Sequence, residues 1–399
     1  MGNISLLTCA QCSSEFQPDP FRTHCVCGAP LVARYDLAEI RRRWHKDHLL
    51  REPHSLWRYH PVLPAELGSE VSLCEGWTPL SGVPKLGKVL NVKDLRVKDE
   101  SRNTSGSCQD RDASVVLTVA KSLGYAKLAA ETGGDGGSAL AAYGAAAGVE
   151  AQLFLPVDVP QSSFLECKSY GAQVGLRNRD RKGSALDDQT LDVSAFETIR
   201  LEGQKTAGYE LAEQLGWEAP DAIVCPCGDG LAPAAIWKAF GELQELGWIG
   251  SKLPKMIAVQ SAGCAPIVQA FESSAEKCVR WPNPHALSSE MRDPQPVLGF
   301  LVLRALRESG GAAIAVSDEE MLDETLLLAK LEGLFAAPET GACVAAVRRL
   351  ITTGFLRSTE RIVLYNVASG LRRTENFTAR FIRRTANEQD KLGGLILPR

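Results

Sequence analysis

The sequence has no run of 18 uninterrupted apolar residues, no long block of like charge, no internal repeat and no low-complexity tract. Without a long apolar run there is no transmembrane helix, because about 20 such residues are needed to cross a bilayer. The acids and bases nearly balance, with 44 Lys+Arg against 48 Asp+Glu and a formal net charge of −4. A nucleic-acid wrapper or a polybasic membrane binder needs a basic excess, so neither kind of partner is expected. The first residues, MGNISLLTCAQC, lack a basic stretch followed by an apolar core and do not read as a secretory signal. The expectation is a soluble cytoplasmic protein. Aromatic residues are sparse at 7%, and Trp77, Trp237 and Trp248 are read as core.

What is present is ordinary globular composition: 399 residues, 45% hydrophobic and 23% charged, enough for two or three domains. Cysteine is the exception. Of 12, four fall at the start as Cys9, Cys12, Cys25 and Cys27, and the rest are scattered. In a chain of this size a reducing compartment argues against a disulfide framework. A C-x2-C and a C-x-C pair brought together by a hairpin supply four thiolates, which suits a structural zinc ion. The competing reading is a ribbon that keeps its shape without metal. In either case the site is structural, since no position is left open for a substrate.

From residue 91 onward, strand-like and helical segments alternate. Strand patterns at AKLAAE, AQLFLP, AQVGLR, DAIVCP, KMIAVQS and RIVLYNV are separated by helical ones. This spacing is the mark of βαβ units and parallel sheets. The segment 281–296, with four prolines, reads as loop. The expected fold is α/β with open, twisted, mostly parallel sheets in two lobes and a small N-terminal appendage. The boundaries are set at 1–40 for the ribbon, 41–112 with 206–399 for the large domain, and 113–205 for the small one.

Several segments, in order, resemble the threonine synthases among the fold-type-II pyridoxal-phosphate (PLP) enzymes. They are CVCGAPLVARYDL, CEGWTPLSGVPKLG, VKDESRNTSGSCQDRDA, ETGGDGGSALAAYGAAAG, AVQSAGCAPIVQAF and SDEEMLDETLLLAKLEGLFAAPETGAC. The resemblance implies the two-lobed fold-type-II architecture and a cleft formed by the loops at 101–111, 133–138 and 228–232. It also identifies a departure. The family loop reads approximately N-P-T-G-S-F-K-D-R, its lysine forming the Schiff base, whereas residues 103–111 read NTSGSCQDR, with Gln109 at the lysine position. A carboxamide is not nucleophilic and carries no titratable proton. Lys98 is no substitute, because the family also has lysine there.

Three further segments depart from the resemblance. Residues 131–134 read ETGG where the family has S-T-G-N, 228–232 read GDGLA where it has G-N-A-G-N, and 367–372 read VASGLR where it has T-G-H-G-L-K. Ser369 lies two residues on, and a shifted alignment would offer it in place of Val367. The expected ligand-binding set is therefore Ser105, Gly106, Thr132, Gly133, Gly134, Gly228, Gly230 and Ser369. Glu131, Asp135 and Asp229 add carboxylates where the family receives anions, and like charges there disfavour a dianionic phosphate.

Two explanations stay open: relaxed residues in a decayed site, or a pocket rebuilt for a less anionic ligand. Cys108 and Cys227, near helix N-termini, are candidate nucleophiles with lowered thiol pKa values, set against the plainer reading of small buried fillers. Arg111 and Asp110 read as a structural pair. The catalytic candidates are thus Gln109, Glu131, Asp135, Cys108 and Asp229, with PLP absent or held non-covalently. Three functions follow: a repurposed enzyme on an amino-acid-like or natural-product precursor, a pseudoenzyme binding a small molecule or partner, or a weak PLP-dependent lyase. A homodimer is left open.

Overall fold

The computed structural model describes residues 2–178, 186–378 and 381. In chain order its strands are β1 (Ile4–Cys9), β2 (Glu15–Phe16), β3 (Leu31–Tyr35), β4 (Leu80–Gly82), β5 (Asp94–Asp99), β6 (Lys127–Glu131), β7 (Glu150–Pro156), β8 (Gln173–Arg177), β9 (Thr190–Asp192), β10 (Ala222–Pro226), β11 (Lys255–Ser261), β12 (Ala312–Val316) and β13 (Arg361–Asn366). They form three sheets. The first is an antiparallel ribbon in the order β2-β1-β3. The second runs β12-β11-β10-β13-β5-β4 and is parallel except for β4 at one edge. The third, β8-β7-β6-β9, is wholly parallel.

Covering helices explain the strand sequences. All five residues of β10 are buried, and AIVCP contains no charge, as a strand packed on both faces requires. Strand β12 escapes a periodicity reading because AAIAV offers little bulk. It nevertheless pairs with β11 along its full length, with Ile257 opposite Ala312 and Ser261 opposite Val316.

The ribbon packs closely on the helices Glu197–Gln214 and Leu231–Glu245. Leu7 and Leu31 share one continuous core with Tyr209 and Phe240. Tyr35 donates to Glu202 at 2.8 Å, and Arg304 donates to the Ala10 carbonyl at 2.7 Å. The boundaries drawn at 112 and 205 fall inside the helices Gln109–Ser122 and Glu197–Gln214, which run unbroken through them. Among the described residues, no helix is long and apolar enough to cross a membrane.

Candidate functional site

Three parallel strands deliver their C-terminal ends to one cleft, where ligands collect in open α/β sheets. Strand β5 leads through the loop 100–108 into the helix Gln109–Ser122, β6 through a short turn into Gly134–Ala147, and β10 through residues 227–230 into Leu231–Glu245. A cavity of about 290 Å³ opens between them, lined among others by Gln109, Gly133, Asp135, Asp229, Glu290 and Glu339. No lysine lines it among the described residues.

Gln109 begins its helix and accepts a hydrogen bond from Arg200 Nη2 at 3.3 Å. The same guanidinium donates to Asp112 at 2.8 Å and lies 3.7 Å from Asp229. Lys98 points away from the cavity. Fully buried, it donates to the Thr78 carbonyl and to Glu210, each at 2.7 Å. Arg111 and Asp110 do not pair. Arg111 bridges Glu100 and Glu210, whereas Asp110 accepts the Ser105 amide at 2.7 Å and the Ser105 hydroxyl. Desolvation pushes the Asp110 carboxyl up to about 7.

That bond settles Ser105 and Gly106 as structural groups. The Ser105 amide already serves Asp110, and the Gly106 amide donates to the Asn103 carbonyl at 2.9 Å, so neither is free to receive an anion. Val367 lines the cavity. Ser369 does not, because its hydroxyl accepts the Leu371 amide at 3.2 Å and caps the short turn Gly370–Arg373. Gly133, Gly228 and Gly230 line the cavity; Thr132 and Gly134 do not.

The expected acids separate into three environments. Asp135 is buried and clamped by Arg372 Nε at 2.6 Å and Arg373 Nη2 at 2.7 Å. Burial opposes its charge, but Arg373 and Arg372 hold the carboxyl well below the usual range. It is therefore a fixed counter-ion, which corrects its reading as a proton-transfer group. Glu131 lies outside this cavity and pairs with Arg177 at 3.0 Å on the surface. Asp229 does line the cavity and accepts the Leu231 amide at 3.0 Å. Its carboxylate thus sits on the helix N-terminal amide that an anionic ligand would use.

The thiol expectations are reversed. Desolvation, with Glu100 and Asp112 adding to it, raises the Cys108 pKa well above the ordinary value, and burial with Asp229 does the same for Cys227. Both are buried fillers, because burial outweighs the helix N-terminus. Trp248 packs in the core as expected, whereas Trp77 is half-buried and stacks on His54 with centroids 4.6 Å apart.

One residue went unnoticed in the sequence. Glu290 descends from the proline-rich segment into the cleft, between the β6 and β10 loops. A Cβ on Gly133 would lie 2.7 Å from Glu290 Oε1, and one on Gly228 would lie 1.9 Å from the Glu290 carbonyl oxygen, so only glycine admits this approach. Desolvation, then Asp135, push its carboxyl up to about 7; Arg373 acts the other way, and Glu339 and Asp229 add to the rise. Glu339 is buried and lines the cavity, accepting Ser288 Oγ at 2.5 Å and Arg373 Nε at 3.2 Å through Oε1, while its Oε2 has no hydrogen-bond partner among the described residues.

A second site lies in the ribbon. The sulfurs of Cys9, Cys12, Cys25 and Cys27 all fall within 4.8 Å of one another, and this group could hold a metal ion. The amides of Gln11 and Cys12 both donate to Cys9 Sγ at 3.4 Å. Among the described residues it is the only such group of three or more candidate ligands.

Residues 71–366 match the family described as pyridoxal-phosphate dependent enzyme. The threonine synthase of Methanocaldococcus jannaschii is 34% identical over 377 residues, 92% of this chain and 93% of that protein. The threonine synthase of Methanosarcina acetivorans is 36% identical over 366 residues, 90% of this chain and 89% of that one. The crystal structure of a fungal L-serine ammonia-lyase from Rhizomucor miehei aligns with a TM-score of 0.65 at 20% identity, covering 75% of this chain and 97% of that one. That last likeness concerns the fold alone.

Proposed function

The chain belongs to the family of pyridoxal-phosphate dependent enzymes and has threonine synthases among its relatives, and from that premise we propose that it acts on an amino-acid-like small molecule without a covalent cofactor. The observation that carries this reading is the cavity itself, which offers Gln109 and several carboxyls but no amine among the described residues. An imine needs a primary amine, and a carboxamide cannot replace it. PLP also carries a phosphate dianion, whereas Asp229 already occupies the Leu231 amide and the Glu290 carbonyl fills the approach to Gly228. The residues present do not fit the cofactor.

In this reading Gln109, held by Arg200, orients a polar ligand group, and Glu290 is the group able to exchange a proton near neutrality. Zinc in the four-cysteine ribbon would support the fold and take no part in chemistry. A second reading, binding without turnover, is favoured by the neutralised Asp135 and the sealed thiols.

The test is the absorbance of the purified chain mixed with PLP, before and after dialysis, for the native protein and Gln109→Lys. Neither should keep a violet-region band, and neither should form threonine from phosphohomoserine, because groups acting as a unit are not restored singly. A retained band or robust turnover by Gln109→Lys would overturn the proposal.

A further inference from the structure

We propose that the cleft holds the ammonium group of its ligand as an ion pair between Glu290 and Glu339. This inference rests on the non-covalent reading above and gives that site its ligand chemistry. Both side chains line the cavity that Gln109 borders. Glu339 is 1% exposed, and its Oε2 has no hydrogen-bond partner among the described residues. A buried acceptor left in that state costs about 1–3 kcal/mol, more if charged, so such an atom calls for a donor from outside the chain.

The charges around it give the donor its sign. Asp135 consumes Arg372 and Arg373, Glu166 also draws on Arg372, and Asp229 shares Arg200 with Asp112. The carboxyls lining the cavity are Asp135, Asp229, Glu290, Asp293 and Glu339, and Arg292, itself bonded to Asp158, is the lining cation. An anion entering here meets repulsion, whereas an ammonium donates up to three hydrogen bonds and cancels charge. A single metal ion fits less well, because the four cysteines are the only described group whose ligand atoms converge closely enough. The pocket is therefore shaped for an organic amine.

The groups facing Glu290 are Asp135 on the helix after β6, Arg373 on the C-terminal turn, Glu339 on the helix Pro338–Thr352 and Asp229 on the β10 loop. Three are acids, and an arriving cation relieves them. Binding should therefore expel the proton that Glu290 retains near neutral pH, and affinity should rise about tenfold from pH 6 to pH 8 as the carboxyl ionises.

The experiment is calorimetry on the full chain with 1,4-diaminobutane, 1,4-butanediol, succinate and inorganic phosphate as probes, at pH 6 and pH 8, in buffers of differing ionisation enthalpy. The diamine should bind most tightly, with proton release and the stated pH dependence. Glu290→Gln should weaken it at least tenfold and abolish the pH dependence. Tighter binding of succinate or phosphate, no diamine binding, or an unaffected Glu290→Gln protein would each overturn the proposal. Should Glu290→Gln fail to fold, the pH dependence and proton release of the native chain decide alone. Failure here leaves the absorbance result with PLP untouched, so the two proposals fall separately.

Discussion

Behind the loop 100–108, Lys98 and Arg111 face Glu100 and Glu210, two cations against two anions, each with its partners at 2.7 Å. In front of the same loop, Glu290 and Glu339 border a cavity, and the Oε2 of Glu339 has no hydrogen-bond partner among the described residues. Both regions bury charge. In the first, burial opposes the Glu210 charge, but Arg111 and Lys98 pull its carboxyl down to about 2; in the second, burial and neighbouring acids drive Glu290 up to about 7. Matched charge marks scaffold, because nothing remains for a ligand to satisfy. Unmatched charge in a cavity marks a site.

The contrast can be broken hardest at Glu210. Glu210→Ala strands Lys98 and Arg111 without their shared partner and should cost about 3–5 kcal/mol in urea unfolding. Asp135→Ala, which releases two buried guanidiniums, should fall near the lower end of the same range, about 3 kcal/mol, instead of merely silencing the cleft.

Glu290→Gln should go the other way, and only with pH. The folded chain holds the Glu290 proton up to about 7 against an ordinary value of 4.5. Between those two values the folded state binds more protons than the unfolded state, so this residue's contribution to stability declines as pH rises through the window. The variant should therefore gain about 1–3 kcal/mol on the native chain at pH 8, and nothing below about pH 4.5, by thermal unfolding across pH. The smallest effect belongs to Glu131→Ala. It loses one exposed pair with Arg177 and should change stability by less than about 1 kcal/mol.

The strand–helix alternation made the parallel sheets legible in the sequence, because buried strands such as β10 carry an unmistakable apolar run, and the family resemblance implied the meeting of three loops. The cysteine pairs were legible for a similar reason, since their spacing is the geometry. What the sequence hid was pairing. Asp135 and Cys108 sit where an active group would, yet their chemistry depends on Arg372, Arg373 and depth of burial, all set by residues far along the chain. Glu290 was hidden more completely. It reaches the cleft from a proline-rich segment with no periodicity, and the nearest hint was the pair of glycines, 133 and 228, whose missing side chains make room for it. The small strand β12 was passed over because alanine gives hardly any amphipathic signal.

The Asp229 carboxylate, seated on the Leu231 amide, and the Glu290 carbonyl over Gly228 also limit what this loop can hold. A loop that carries its own anion is already in the shape a bound phosphate would impose, so it gains nothing by waiting for one. On the proposed reading, phosphate binding in this loop would require removing that acid and withdrawing the 281–296 segment together. Removing the acid alone bares a helix terminus under a carbonyl oxygen, and moving the segment alone leaves the acid in the phosphate's place. On the proposed reading, neither change alone would open the loop to a phosphate.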